Sequence, residues 1–242
     1  MKKLFLYLAF FALLLGGFYW AIFDDFDFSK TQLAVINSQV PNFSFTDQNG
    51  KIFSTRETDG KVYVAEYFFT TCQGICPKMN ANMRRVFDAY GEEKDFMIAS
   101  HTCMPETDSL PLLKKYEHWM INGRLIRKED GSYKILKPDS TAMVTRNNSN
   151  WFFVTGDKSA LYKLARHGYM IDNGKPDSTQ NISQQFIHTQ FFALVDRHRR
   201  VRGIYDGLKE EEVQQLLKDI PALMKEKVST TRFINGFSNS PN

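Results

Sequence analysis

Hydrophobic and polar residues are spread unevenly along this chain. From Leu4 to Phe23 twenty residues run without a charge, and eighteen of them are hydrophobic, so no polar face interrupts the stretch. At about 1.5 Å per helical residue the run reaches roughly 30 Å, the depth of a bilayer hydrocarbon core, and it predicts a membrane-anchoring helix over 1–23. Phe43 and Phe45 then alternate with polar residues, Asn49-Gly50 supplies a turn, and Ile52-Phe53 begin a return strand, so a β-hairpin opens the folded part. Val62 to Phe69 is β-branched and aromatic almost throughout, the pattern of a central strand covered on both faces. Pro77 suits the first turn of a helix, and Met79, Met83, Val86, Phe87 and Tyr90 recur at helical spacing until Gly91. A strand over Asp95–His101 and a helix near Ser109–Met120 follow, which calls for parallel strands joined by right-handed crossovers.

The segment 122–150 breaks this rhythm and reads as an insertion, with Leu125-Ile126 and Tyr133–Leu136 flanking an Asp130-Gly131 turn. Regular structure resumes at Trp151–Thr155, a helix over about 158–167 and a polar loop over 172–185. A terminal hairpin, Phe191–Asp196 with Val201–Tyr205, precedes a last helix over about 208–225. This order is the layout of a thioredoxin-like α/β sandwich with an N-terminal β-hairpin, one transmembrane helix and a hairpin insertion. The domain plan is an anchor (1–23), a linker (24–40), the thioredoxin-like domain (41–226) and a Ser/Thr/Asn-rich disordered tail (227–242).

Of 242 residues 43% are hydrophobic and 14% aromatic, yet mean hydropathy is −0.38, because the apolar excess is confined to the N-terminus. Composition excludes a polytopic membrane protein, a coiled coil, a collagen and a disulfide-dense mini-protein. With 31 basic against 27 acidic residues, the charge balance gives no reason to expect a nucleic-acid partner. The apolar run is longer than a secretory h-region and ends in Trp20-Ala21-Ile22-Phe23-Asp24 without a small-residue cleavage site, which favours an uncleaved anchor. Lys2 and Lys3 precede it, so the positive-inside bias keeps the N-terminus cytoplasmic and exports the domain. Without an Arg-rich presequence, the expected location is the outer, periplasmic side of a bacterial cytoplasmic membrane.

Chemistry centres on cysteine, of which there are three. Cys72 and Cys76 stand between the central strand and the helix opened by Pro77, where first-turn N–H groups and the helix dipole favour a thiolate. A thiolate is both a nucleophile and a soft metal ligand, so the CxxxC pair can converge on one metal ion or form a disulfide. Met79 and Met83 share their helical spacing with Val86 and Phe87 and read as core. Arg197-His198-Arg199-Arg200 falls at a hairpin turn, where charges are ordinarily solvated. His101, His118 and His167 have no partner at a metal-ligand spacing.

The segment Tyr67-Phe68-Phe69-Thr70-Thr71-Cys72-Gln73-Gly74-Ile75-Cys76-Pro77 resembles the metal-binding motif of the Sco/SenC family, membrane-anchored thioredoxin-fold proteins that help deliver copper to cytochrome c oxidase. Pro105-Glu106-Thr107-Asp108 is similar to that family's Asp-Pro-Glu-x-Asp segment, Trp151–Gly156 to its W-x-F-x-T-G strand, and Ile204–Gly207 to the end of its final hairpin. The resemblance covers about residues 41–225 and implies that Cys72, Cys76 and His188 hold one copper ion, Cu(I) or Cu(II). Two thiolates suit Cu(I), an imidazole suits Cu(II) better, and three ligands leave room for a partner to remove the ion. The implied function is a copper metallochaperone acting by ligand exchange on the copper-site subunit of a respiratory oxidase. Other copper or thiol-redox proteins are further expected partners.

This chain departs from the family pattern in two places. Ile187 precedes His188 where the family has Asp, and Cys103-Met104 stand where a carboxylate is expected before Pro105. Cys103 or Met104 is either an extra copper ligand or resolving thiol, or a buried free Cys beside a packed Met. The rival functional class is a membrane-anchored thiol–disulfide oxidoreductase in which Cys72 attacks a partner disulfide and Cys76 resolves it. A peroxidase-like reductant fits less well, for want of a Thr-x-x-Cys segment.

Overall fold

Val62–Phe68, the unbroken apolar run, is buried at all seven positions and forms the middle of a seven-stranded sheet. The computed structural model describes residues 2–23, 33–138, 148, 150–172 and 189–226, and within the first stretch the side chains of Lys3 and Phe5–Phe18. In chain order the elements are α1 (Lys2–Phe23), β1 (Ser44–Asp47), β2 (Ile52–Ser54), α2 (Thr55–Thr58), β3 (Val62–Phe68), α3 (Cys76–Tyr90), β4 (Phe96–Thr102) and α4 (Leu110–Asn122). They continue with β5 (Arg124–Arg127), β6 (Tyr133–Leu136), β7 (Trp151–Thr155), α5 (Lys158–Lys163), a π-helical turn (Leu164–Gly168), β8 (Phe191–Val195), β9 (Val201–Asp206) and α6 (Glu210–Lys225).

Strand order in the sheet is β2-β1-β7-β4-β3-β8-β9. β3, β4 and β7 are parallel and linked through α3 and α4, whereas β1, β2, β8 and β9 extend the sheet antiparallel on either side. Because side chains alternate along β3, Val62, Val64 and Phe68 enter one core with α3, α4 and α6. Tyr63, Ala65 and Tyr67 enter a second core with α5 and the π-helical turn. The strand expected to be covered on both faces is therefore the centre of a three-layer sandwich.

Within the segment expected as an insertion over 122–150, the hairpin forms. β5 and β6 form a separate two-stranded sheet around Gly131, whose φ of 78° suits a residue without Cβ. Gly123, between α4 and β5, has a different reason for being glycine: a Cβ there would lie 2.4 Å from Ile135 and 2.5 Å from the Leu136 carbonyl oxygen.

Two expectations change at the N-terminus. The linker expected over 24–40 is shorter at its C-terminal end, because the compact unit begins at Leu33. Ile36 N–H donates to the Val201 carbonyl (2.8 Å) and Val40 N–H to that of Arg199 (2.7 Å), so these residues join the edge of β9. Their partners lie more than 150 residues away, and no local pattern announces them. The N-terminal helix forms over Lys2–Phe23, but among the described residues no helix is long and apolar enough to cross a membrane. Residues 24–32, 139–147, 149, most of the 172–185 loop and the 227–242 tail lie outside the described residues.

Candidate metal centre

The two cysteines of the CxxxC segment occupy the C-terminal end of β3, where the chain leaves the sheet. Cys72 N–H donates to the Phe69 carbonyl (3.2 Å), a tight turn that folds the loop back over the strand end. Ile75 is the N-cap of α3 and offers no side-chain acceptor, so Cys76 and Pro77 enter the first turn uncapped by any side chain. Both thiols are free, Cys72 half-buried and Cys76 only 5% exposed. The Cys72 sulfur is near enough to Cys76 to act on its thiol.

Helix position alone predicts thiols that ionise easily. For Cys76 the structure reverses this: burial pushes the thiol well above its ordinary range, and the neighbouring Cys72 sulfur adds to the effect. A proton held this firmly leaves when a metal ion takes its place.

Asp108 is the functional residue that the sequence segment contained without revealing its task. Its carboxylate is 1% exposed and accepts from the Thr70 N–H (3.3 Å), the Thr70 hydroxyl (2.6 Å) and the Thr102 hydroxyl. Thr70 lies two residues before Cys72, so Asp108 fixes the start of the cysteine loop to the end of β4. Pro105–Asp108 is visible as a segment, but only the pairing Phe68↔Thr102 puts its carboxylate beside Thr70.

His188 lies outside the described residues. Its covalent neighbour Thr189 is 4% exposed, donates its hydroxyl to the Ile171 carbonyl and accepts from Phe191 N–H (3.2 Å). Gln190 is held by Asp206 (2.6 Å). β8 runs antiparallel to β3 with Ala65 opposite Ala193, so the chain enters β8 at the end of β3 that carries the cysteines.

Cys103 faces the other way. It belongs to the second core, its thiol donates to the Phe68 carbonyl (3.2 Å), and burial together with nearby Asp108 pushes that thiol up to about 12. Met104 is half-buried against the same core. Cys76 is on the opposite side of the sheet, and among the described residues no group of three His, Cys, Asp or Glu side chains is placed to hold a metal ion. The geometry is that of a buried free cysteine beside a packed methionine.

The remaining candidates are structural. Met79 and Met83 are at most 1% exposed in the first core. His101 is fully buried, stacks on Tyr67 with ring centroids 5.2 Å apart, and is pushed down to about 3 by burial, hence neutral. His118 contacts Asn122 on α4, and His167 sits in the π-helical turn. The basic turn is neutralised: Arg197 pairs with Asp95, Arg199 with Asp59, and Arg200 with Asp196.

Known proteins resemble the chain in sequence and in fold. Residues 33–126 match the SCO1/SenC family pattern. The SCO1 protein homolog of Bacillus subtilis (strain 168) is 27% identical over 187 residues, spanning 76% of this chain and 82% of that protein. A SCO1/SenC family lipoprotein from Bacillus anthracis (strain Ames) superposes with a TM-score of 0.58 at 27% identity, covering 79% of this chain and 98% of its own. BsSco, described as a member of the Sco family of cytochrome c oxidase assembly proteins with a disulfide switch, superposes at 0.56 and 25% identity, covering 81% of this chain and all of its own. Bradyrhizobium japonicum ScoI with copper bound shares the fold at 18% identity, with a TM-score of 0.51 over 76% of this chain and 99% of its own. The α/β sandwich is accordingly of the thioredoxin-like type.

Proposed function

We propose that this chain, which belongs to the SCO1/SenC family, binds one copper ion through Cys72, Cys76 and His188 and assists assembly of the copper centre of a respiratory cytochrome c oxidase. The observation that carries this is the pair of free thiols close together on a loop that Asp108 holds to the sheet. Two sulfurs at one point suit Cu(I), and His188 is bonded to Thr189, which is anchored where β8 starts. Ion release proceeds by ligand exchange: each thiolate–copper bond that breaks is replaced by a bond to a ligand of the acceptor. The protons lost by the acceptor's ligands return to Cys72 and Cys76, with no change of oxidation state.

A second use of the same sulfurs is supported by their free state and by the disulfide switch ascribed to BsSco. Cys72 thiolate attacks a partner disulfide, and Cys76 then displaces the mixed disulfide. The pair ends oxidised, and the partner receives two electrons and two protons as two thiols.

The helix Lys2–Phe23 is the membrane anchor in this proposal, with its N-terminus cytoplasmic and the domain on the outer side of a bacterial cytoplasmic membrane. Support comes from the uncharged, apolar run Leu4–Phe23 in the sequence and from exposed apolar side chains such as Leu13 (77%) and Phe5 (76%).

Copper titration of the reduced full chain in mild detergent, against a competing chelator, tests the ligand set. The parent takes up one ion per chain, Cys72→Ser and Cys76→Ser abolish uptake, and His188→Ala weakens it by about 10-fold or more while dithiol cycling continues. A parent that binds no copper while its dithiol cycles readily would leave only the oxidoreductase.

A further inference from the structure

The insertion hairpin is placed to meet whatever protein approaches the thiols. β6 packs along α3: Tyr133 lies under the Arg85 guanidinium (4.2 Å), and Arg85 is itself paired with Glu210 of α6 (2.7 Å). The base of the hairpin is fixed by buried Arg84, which donates to the Met120 (2.6 Å) and Gly123 (3.1 Å) carbonyls. Toward the turn, Arg127 also lies over the Tyr133 ring (5.9 Å). The hairpin is thus fastened to the C-terminal end of α4 and to the middle of α3, the helix whose first residue is Cys76.

Its composition points to the chemistry of a partner. Leu125 and Ile135 are opposite one another and face the core, so Arg124, Ile126, Lys134 and Leu136 lie on the outward face. Arg124 and Lys134 are exposed, as are Arg127 and Lys128 near the turn, and none of these four forms an ion pair among the described residues. Over 124–137 five basic residues stand against Glu129 and Asp130. Elsewhere the fold neutralises its basic turn with carboxylates, whereas here an outward stripe of Ile126 and Leu136 is flanked by unpaired positive charge.

We propose that the outer face and tip of the β5–β6 hairpin form a docking surface for an acidic protein face, that of the copper acceptor. This rests on the copper-delivery reading above. Ligand exchange requires the acceptor's own ligands to reach Cys72, so its surface approaches α3 and the hairpin packed on that helix, and opposite charge there steers encounter and sets orientation. No bond is made or broken in the docking itself.

The test compares the copper-loaded full chain with its Arg124→Glu/Lys128→Glu/Lys134→Glu variant. Each is mixed with the purified, copper-free copper-site domain of the same cell's cytochrome c oxidase, at about 20 mM and about 200 mM salt. The variant is expected to transfer copper about 10-fold more slowly at low salt and to lose most of the salt dependence, with copper affinity unchanged. Direct binding of the copper-free chain to that domain is expected to weaken in parallel, a readout that survives even if copper binding by this chain fails. A transfer rate and a binding constant both within twofold of the parent would overturn the docking surface. So would charge-dependent loss of binding to vesicles rich in anionic lipid with transfer unchanged, which would assign the patch to the membrane.

Discussion

Glu66 puts a carboxyl group where solvent does not reach, fully buried in the central strand between Val64 and Phe68 of the first core. One oxygen accepts from the Ser100 hydroxyl (2.6 Å), which in turn accepts from the Trp151 indole (2.8 Å), and the other has no partner. Burial raises its pKa from 4.5 to about 8. Between those values the folded chain keeps a proton that the unfolded chain has released, so stability falls as pH rises through the window and the loss is complete above about 8. Denaturant unfolding at about pH 5 and about pH 9 should show the parent losing on the order of a few kcal/mol, and Glu66→Gln losing much less. Equal losses in the two proteins would mean that Glu66 is not the group responsible. At this scale Cys72 and Cys76 are readable from sequence because a CxxxC ahead of Pro77 joins local chemistry to local structure. Which side of the sheet Cys103 faces is not, since it depends on strand register rather than on neighbours in sequence.

The elements themselves follow the hydrophobic period closely. β3, β4, β7, β8 and β9 fall where runs of apolar residues place them, and α3 and α6 where the 3.6-residue stripe does. α2 has a sequence signature too, the Ser54–Glu57 capping box, but one turn of helix leaves little periodic signal around it. The π-helical turn after α5 has none, because its extra residue per turn interrupts the helical spacing that would mark it. The hairpin insertion is visible as two short strands around Asp130-Gly131, yet its seating on α3 depends on Arg84, Arg85 and Gly123. Gly123→Ala should therefore pry β6 from the end of α4, at a cost of about 1–3 kcal/mol. Thermal unfolding would show this as a fall of roughly 2–12 °C, and a melting temperature equal to the parent's would mean that the junction gives way freely.

Across the whole molecule, function is divided between two units. Residues 1–32 carry the apolar helix and 33–242 carry the sandwich and its thiols, and the division at 32/33 is blurred in sequence by the mixed segment over 33–40 that reaches β9. The sandwich supplies a rigid strand end, a loop fixed by Asp108 and a helix start, and these bring Cys72 and Cys76 together without a disulfide. Thr189, the covalent neighbour of the proposed third ligand His188, is anchored at the start of β8. X-ray absorption at the copper edge of the reduced, copper-loaded full chain is the most direct test of that ligand set. Two sulfur neighbours and one imidazole nitrogen are expected, with the nitrogen contribution lost in His188→Ala and both sulfurs retained. A copper shell of nitrogen and oxygen alone, or one unchanged by His188→Ala, would contradict it.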